Sequence, residues 1–397
     1  MTIIRWFLSR AVRQATELRK HVLRLLQAQK DILSPEAGGA IGRAARELQT
    51  IVRSGADRKA LDSGMSQLEN VANKWLKPYP NPGIRENVEV LLVAVAVAIS
   101  IRTFFLQPMK IPTGSMQPTL YGITHKNLKD EPGAKIPLGF QRWVDSWFRG
   151  ASYYHYVARS DGDLRIIDES PKTILPFVTK QRFMVGDDLY TVWFPPEQFF
   201  ERAGILEGQH FTNGEDIVKL KVVSGDHLFV DRFTYNFRRP RRGEIIIFET
   251  HGIEGIRQQD TFYIKRLIGL GGDHLRIGND QHVIVNGRRL DASTPHFENL
   301  YTFGPTYMTN HYFGHVNGWV GARLGRAGIA PLFPDENTEL VIRPDRYVVM
   351  GDNTMNSFDS RYWGDFPREK VIGKCGFVYW PILGATPGSS RFGWAIR

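Results

Sequence analysis

A chain of 397 residues with 42% hydrophobic, 12% aromatic and 23% charged residues has an ordinary globular composition, which excludes a disordered or multi-span protein and leaves room for two or three folded units. Its formal net charge of +10 would suit nucleic acid or an anionic membrane surface, yet no helix-turn-helix, zinc or RNA-binding signature accompanies the basic residues, so no nucleic-acid partner is expected. The single Cys375 excludes an internal disulfide and a multi-cysteine metal site, and leaves the redox compartment open.

Three amphipathic runs come first. Ile4, Leu8, Ala11, Ala15, Leu18, Val22 and Leu25 recur at helical spacing, Ser34-Pro35 reads as an N-cap with proline at the first helical position, and further runs pass through Ile41, Leu48 and Val52 and then Leu61, Met65, Leu68 and Trp75. This α-helical region, 1–77, can lie on a membrane surface, bind a partner helix or close on itself as a small helical hairpin, the last being all that its ordinary apolar stripe requires. Met1 to Thr16 is basic and free of acids, superficially like an organellar transit peptide, but the pattern runs on into acidic residues. Pro78, Pro80, Pro82 and Gly83 break it, which makes 78–87 a linker.

Residues 88–106, VEVLLVAVAVAISIRTFFL, would span roughly 28 Å as a helix, the thickness of a bilayer core. Glu89 and Arg102 sit toward its ends, where charge is tolerated. A buried core helix competes with this reading, because only Val90 to Ile101 is uninterrupted. The run begins too late for a cleavable signal peptide and should persist as a single-pass anchor. Fifteen Lys and Arg against eight acids before residue 88 predict a cytoplasmic N-terminus, with everything after Leu106 on the outer side.

Residues 107–397 change texture to short β-rich runs between Gly, Pro, Asp and Asn, including His227 to Val230, Glu244 to Phe248, His282 to Val285 and Tyr347 to Met350. A mainly β domain is predicted. Asn286-Gly287 between apolar runs predicts a two-residue hairpin.

The stretch IPTGSMQPTL, Ile111 to Leu120, frames Ser115 with prolines and a glycine. A serine in such a turn is commonly just a loop residue, and a nucleophile needs a base. No histidine stands in a recognisable triad motif. Lysine can serve if burial depresses its pKa of ~10.4. FYIKRLIGLGGD, Phe262 to Asp273, supplies Lys265 behind an aromatic-aliphatic run, and strand alternation sends Lys265 and Arg266 to opposite faces, so that one can enter a dry pocket while the other stays in solvent or pairs with an acid. Alone, the same two residues would read as exposed strand cations.

The joint pattern resembles the bacterial type I signal peptidase family. IPTGSMQPTL is similar to its nucleophile box, SGDHLFVDR (Ser224 to Arg232) to its next strand box, YIKRLIGLGGD to its lysine box, and MGDNTMNSFDSRYWG (Met350 to Gly364) to its closing box, with a family-like VIGK from Val371 to Lys374. The resemblance covers roughly 88–120 and 222–383. It implies a β-sheet catalytic domain with a smaller second β domain within 286–343, and a membrane-bound serine endopeptidase that removes signal peptides from exported preproteins without metal or cofactor.

By that resemblance Ser115 is the nucleophile and Lys265 the base, with the Ser115 N–H and the Thr113 hydroxyl as oxyanion donors. Ser357 matches the serine that hydrogen-bonds the lysine; Asp359, Arg361 and Asp352 match supporting residues, and Arg266 adjoins the base. Thr113 stands where the family usually has Ser, and Gly271 where it usually has Pro. The region 121–221 and the N-terminal helices have no counterpart in the family. A Ser-Lys peptidase that cleaves itself or a regulator is the enzymatic alternative, expected to lack the anchor. A membrane-tethered β scaffold is the non-catalytic one, which would not need Ser115 and Lys265 together.

Overall fold

The computed structural model describes residues 9–77, 82–131, 133–176, 178–302, 313–384 and 390–394; Ile4, Leu8, Pro78 and Pro80 lie outside the described residues. The fold divides into two compact units, 1–95 and 96–397.

In the first unit, helices α1 (Arg10–Ala28), α2 (Pro35–Ser54) and α3 (Arg58–Trp75) pack mutually around Ala15, Val22, Ile41, Leu48, Leu61 and Leu68. The apolar stripe is thus an ordinary core face of three helices rather than of a two-helix hairpin. Each start is capped as side-chain chemistry dictates: Ser9, Ser34 and Asp57 accept from the backbone N–H three residues on. The next helix, α4 (Pro82–Phe104), begins earlier than the apolar run. Proline at a first helical position lacks only an N–H that would be unpaired anyway, so Pro82 starts the helix instead of ending the linker. None of the apolar residues from Glu86 to Phe104 is buried, with Leu92 62% exposed. That excludes the buried core helix.

The second unit is mainly β. In chain order its strands are β1 (Leu106–Lys110), β2 (Thr124–Asn127), then after helix α5 (Gly139–Arg149) β3 (Ala151–Val157), β4 (Gly162–Ile166), β5 (Lys172–Leu175), β6 (Val178–Val185), β7 (Asp188–Trp193), β8 (His210–Phe211), β9 (Asp216–Val223), β10 (His227–Asp231), β11 (Ile245–Glu249), β12 (Phe262–Leu270), β13 (His274–Ile277), β14 (Val283–Val285), β15 (Arg288–Arg289), β16 (Leu340–Val341), β17 (Arg346–Met350), β18 (Phe366–Pro367), β19 (Val371–Trp380) and β20 (Gly393–Trp394).

The main sheet runs β1-β10-β19-β11-β12-β17-β18, with β20 on β19. Its inner strand β11 is apolar on both faces because both are covered: Ile245 and Ile247 pack with Met116, Leu228 and Val378, Ile246 and Phe248 with Leu267, Val349 and Phe366. Each such burial contributes about 1.5–3 kcal/mol.

A smaller sheet, β15-β14-β13-β16, carries the predicted hairpin, with Val285 opposite Arg288 and both Asn286 and Gly287 at positive φ. It packs on the main sheet through Ile268, Val348 and Met350. The region 121–221 is itself folded, as a β2-β9-β3 sheet and a second sheet of β4 to β8, around Leu164, Phe183, Val192, Phe211 and Leu220.

Candidate active site

Ser115 sits on a single turn, Gly114–Met116, that follows β1. The turn is pinned from two sides. The Ile111 N–H donates to the Asp226 carbonyl at 2.9 Å and the Ile123 N–H to the Pro112 carbonyl at 3.1 Å. From the other side, Asn353 donates its N–H to the Ser115 carbonyl and its Nδ2 to the Gly114 carbonyl, both at 3.0 Å. This approach requires Gly351, since a Cβ there would lie 2.3 Å from Ser357 Oγ and 2.5 Å from the Ser115 carbonyl oxygen.

Lys265, on β12 opposite Ile246 of β11, reaches the same point. Its Nζ donates to Ser115 Oγ at 2.7 Å and to the Ile264 carbonyl at 3.1 Å, and it lies 5.4 Å from the centre of the Tyr263 ring. Lys265 is 5% and Ser115 6% exposed. Burial pushes the ammonium down to about 8; Asp359 and Asp352 pull it back up, and the Arg361 charge lowers it further. In its neutral form Nζ has a lone pair aimed at the serine hydroxyl.

Strand alternation separates the next residue. Arg266 is also buried, but it pairs bidentately with Asp352, Nε to Oδ1 at 2.7 Å and Nη2 to Oδ2 at 2.6 Å, and donates Nη1 to the Gly243 and His296 carbonyls. Asp352 also accepts from the Thr119 hydroxyl. A second buried pair stands beside it: Arg361 donates Nε and Nη2 to Asp359, both at 2.9 Å, and Nη1 to Thr354 Oγ1. Burial alone would raise the Asp359 pKa, but Arg361 holds it below the usual carboxylate value. Asp359 also caps the short helix after it, accepting from the Arg361 N–H, so turn chemistry and ion pairing coexist in one side chain.

Ser357 differs from what the resemblance implies. Its buried hydroxyl makes no hydrogen bond to Lys265; it lies against Gly351 and near Asp359, whose ionised form it helps to hold. Thr113 is exposed at the entrance to the turn. Among the described residues no acceptor engages the Ser115 N–H.

Two contributors carry no sequence signal of their own. Asn353 lies within the closing box, but its double grip on the nucleophile turn depends on tertiary contact. His315 comes from the long 286–343 connection; both ring nitrogens are buried without partners, and burial, with Arg361 beside it, lowers its pKa to about 4. It stays neutral and is not bonded to Ser115.

The strand pairing leaves two backbone edges open around the dyad. Among the described residues β17 pairs with Arg266 to Leu270 only, so Phe262 to Lys265 pair with β11 alone, and β1 pairs with β10 alone. The chemistry available is thus a serine hydroxyl, a base of depressed pKa, a free backbone donor and two edges that can hold an extended peptide.

Comparison with known proteins agrees in kind. The sequence pattern described as "Signal peptidase, peptidase S26" matches residues 84–126 and 217–380, just over half of the chain. A Synechocystis protein described as "Probable signal peptidase I-2" is 34% identical over 40% of this chain and 56% of its own length. Signal peptidase I of Leptolyngbya laminosa is 29% identical over 46% of this chain and 72% of its own, and that of Pseudomonas aeruginosa 29% identical over 57% and 84%.

Proposed function

The chain belongs to the signal peptidase family, peptidase S26, serine endopeptidases that remove signal peptides from preproteins, and from that premise we propose that Ser115 and Lys265 perform the cleavage here. The observation that carries this is the 2.7 Å contact between Lys265 Nζ and Ser115 Oγ in surroundings that depress the lysine pKa. Neutral Lys265 takes the Ser115 proton as Oγ attacks the scissile carbonyl. The oxyanion is held by the Ser115 N–H and the Thr113 hydroxyl. Lys265 then returns the proton to the leaving amine and later activates the water that hydrolyses the acyl-enzyme. Asp352 with Arg266 ties the closing segment to β12, and Asp359 with Arg361 braces that segment from within.

The substrate binds as an added strand between β1 and the Phe262 to Lys265 edge, with shallow apolar pockets selecting small residues at the first and third positions before the cut. We further propose that α4 spans the bacterial cytoplasmic (inner) membrane once, with the N-terminal helices inside and the β unit outside. Nine residues separate Leu106 from Ser115, at most roughly 30 Å of chain, so cleavage takes place near the bilayer surface. Ser115→Ala and Lys265→Met should each abolish preprotein cleavage in a folded protein, and because the two act as a unit their losses should not add. Substantial turnover by either purified variant overturns the assignment.

A further inference from the structure

Helix α5, in the region that the family pattern leaves unmatched, is amphipathic the wrong way round. Residues 142, 145 and 149 form one face by helical spacing, and this charged face turns toward the domain. Asp145 is buried, accepting from the Tyr153 hydroxyl and from Arg149, both at 2.8 Å, while Arg142 donates to the Tyr153 carbonyl at 2.7 Å. Residues 140, 143 and 147 form the opposite face, and there Phe140 is 77%, Trp143 50% and Trp147 65% exposed. Burial of apolar surface would normally orient such a helix the other way. Polar bonds to β3 instead hold its aromatic face in the open. The rings stack on one another, Phe140 on Trp143 at 5.7 Å, and the patch continues into exposed Ile382 and Leu383, tied by the Leu383 N–H to the Phe148 carbonyl.

We propose that this face docks on the lipid bilayer surface, a second, peripheral membrane contact of the β unit; the proposal rests on the reading of α4 as a membrane span. Three observations select lipid as the occupant. Tryptophan and phenylalanine exposed together on one helix face is the composition that sits at the headgroup boundary. The unit carrying α5 takes in the last turns of α4, from Ala96, and β1, about 13 Å long, follows at Leu106 and runs to Lys110, which lines one cleft of about 590 Å³ with Trp147 and Trp380. A tethered surface meets the membrane at high effective concentration, so a helix-sized patch suffices where a free partner would need a larger interface. Docking here would fix the height and orientation of Ser115 over the bilayer.

The test uses the full chain in phosphatidylethanolamine–phosphatidylglycerol vesicles, with an environment-sensitive fluorophore on Trp143→Cys; the native Cys375 is buried. Expected are a blue-shifted emission, quenching by lipids labelled near the headgroup, and resistance of the protein to alkaline extraction. The double variant Phe140→Ser/Trp143→Ser should lose activity several-fold on a membrane-inserted preprotein but none on a short soluble peptide in detergent, and Phe140→Leu/Trp143→Phe should restore it. Aqueous emission from an extraction-resistant protein that cleaves soluble peptide normally overturns the docking and leaves the span intact. Extraction by alkali overturns the span itself. A blue shift in detergent that grows with protein concentration assigns the face to a second copy of the chain and overturns the lipid proposal.

Discussion

At the scale of single residues the decisive property is the environment of Lys265. Its pKa is about 8 in the folded chain against 10.5 ordinarily, so between those values the unfolded state binds more protons and stability rises with pH. Below about pH 8 the burial cost is fully present, about 3 kcal/mol at 1.36 kcal/mol per unit. Lys265→Met should therefore raise stability in urea at pH 7 by up to about 3 kcal/mol, with the gain shrinking toward pH 10. A variant no more stable than wild type at pH 7 would show that the amine is not desolvated. The same depression predicts an ascending limb of activity with an apparent pKa near 8, between free imidazole and free lysine. His315 titrates near 4 and cannot supply such a limb. A limb near 6.5 that vanished on replacing a histidine would refute the lysine base.

Among the elements, the segment after β17 joins the two halves of the site. Gly351 to Asn353 touches the nucleophile turn, Asp352 receives Arg266 from β12, and Asp359 receives Arg361. Replacing Asp359 by Ala strands a fully buried guanidinium and should cost about 3–5 kcal/mol, measured as a lowered urea midpoint. Gly351→Ala is the subtler case. Its methyl group would press on the Ser115 carbonyl and on Ser357 Oγ, and such overpacking typically costs about 1–3 kcal/mol. The expected signature is a fall in kcat larger than the loss of stability explains, because the displaced atom belongs to the nucleophile's own backbone; unchanged kcat would indicate that the turn moves freely.

At the scale of the molecule the charge imbalance ahead of α4 predicts sidedness. Protease added to intact spheroplasts should degrade or release the β unit and spare the helical N-terminal region. The opposite pattern of protection would reverse the orientation. The region 121–221 has its own core, which explains how about a hundred residues can be accommodated between the nucleophile turn and β10: Tyr121 and Asp226 meet through backbone and side-chain bonds, so the main sheet closes as if the region were a loop.

By itself the sequence determined whatever depends on neighbours a few residues away. The Asn286-Gly287 turn, the Ser34 cap, the apolar length of α4 and the unbroken Ile-Ile-Ile-Phe of β11 all express local propensity or burial, and such terms act over one turn or one strand. The residue types needed for a Ser-Lys peptidase were legible too, as boxes in order. Only the tertiary structure decided what meets across the chain. Ser115 and Lys265 are 150 residues apart, and their contact depends on the register of β11 and β12 and on the turn that Asn353 grips. The same holds for Ser357, whose hydroxyl lies beside Gly351 and makes no bond to the lysine, for His315 drawn in from a distant connection, and for α5, whose polar side chains bond to β3. Its orientation was set by the polar bonds that Asp145 and Arg142 found on β3, and no pattern within eleven residues records where those partners lie.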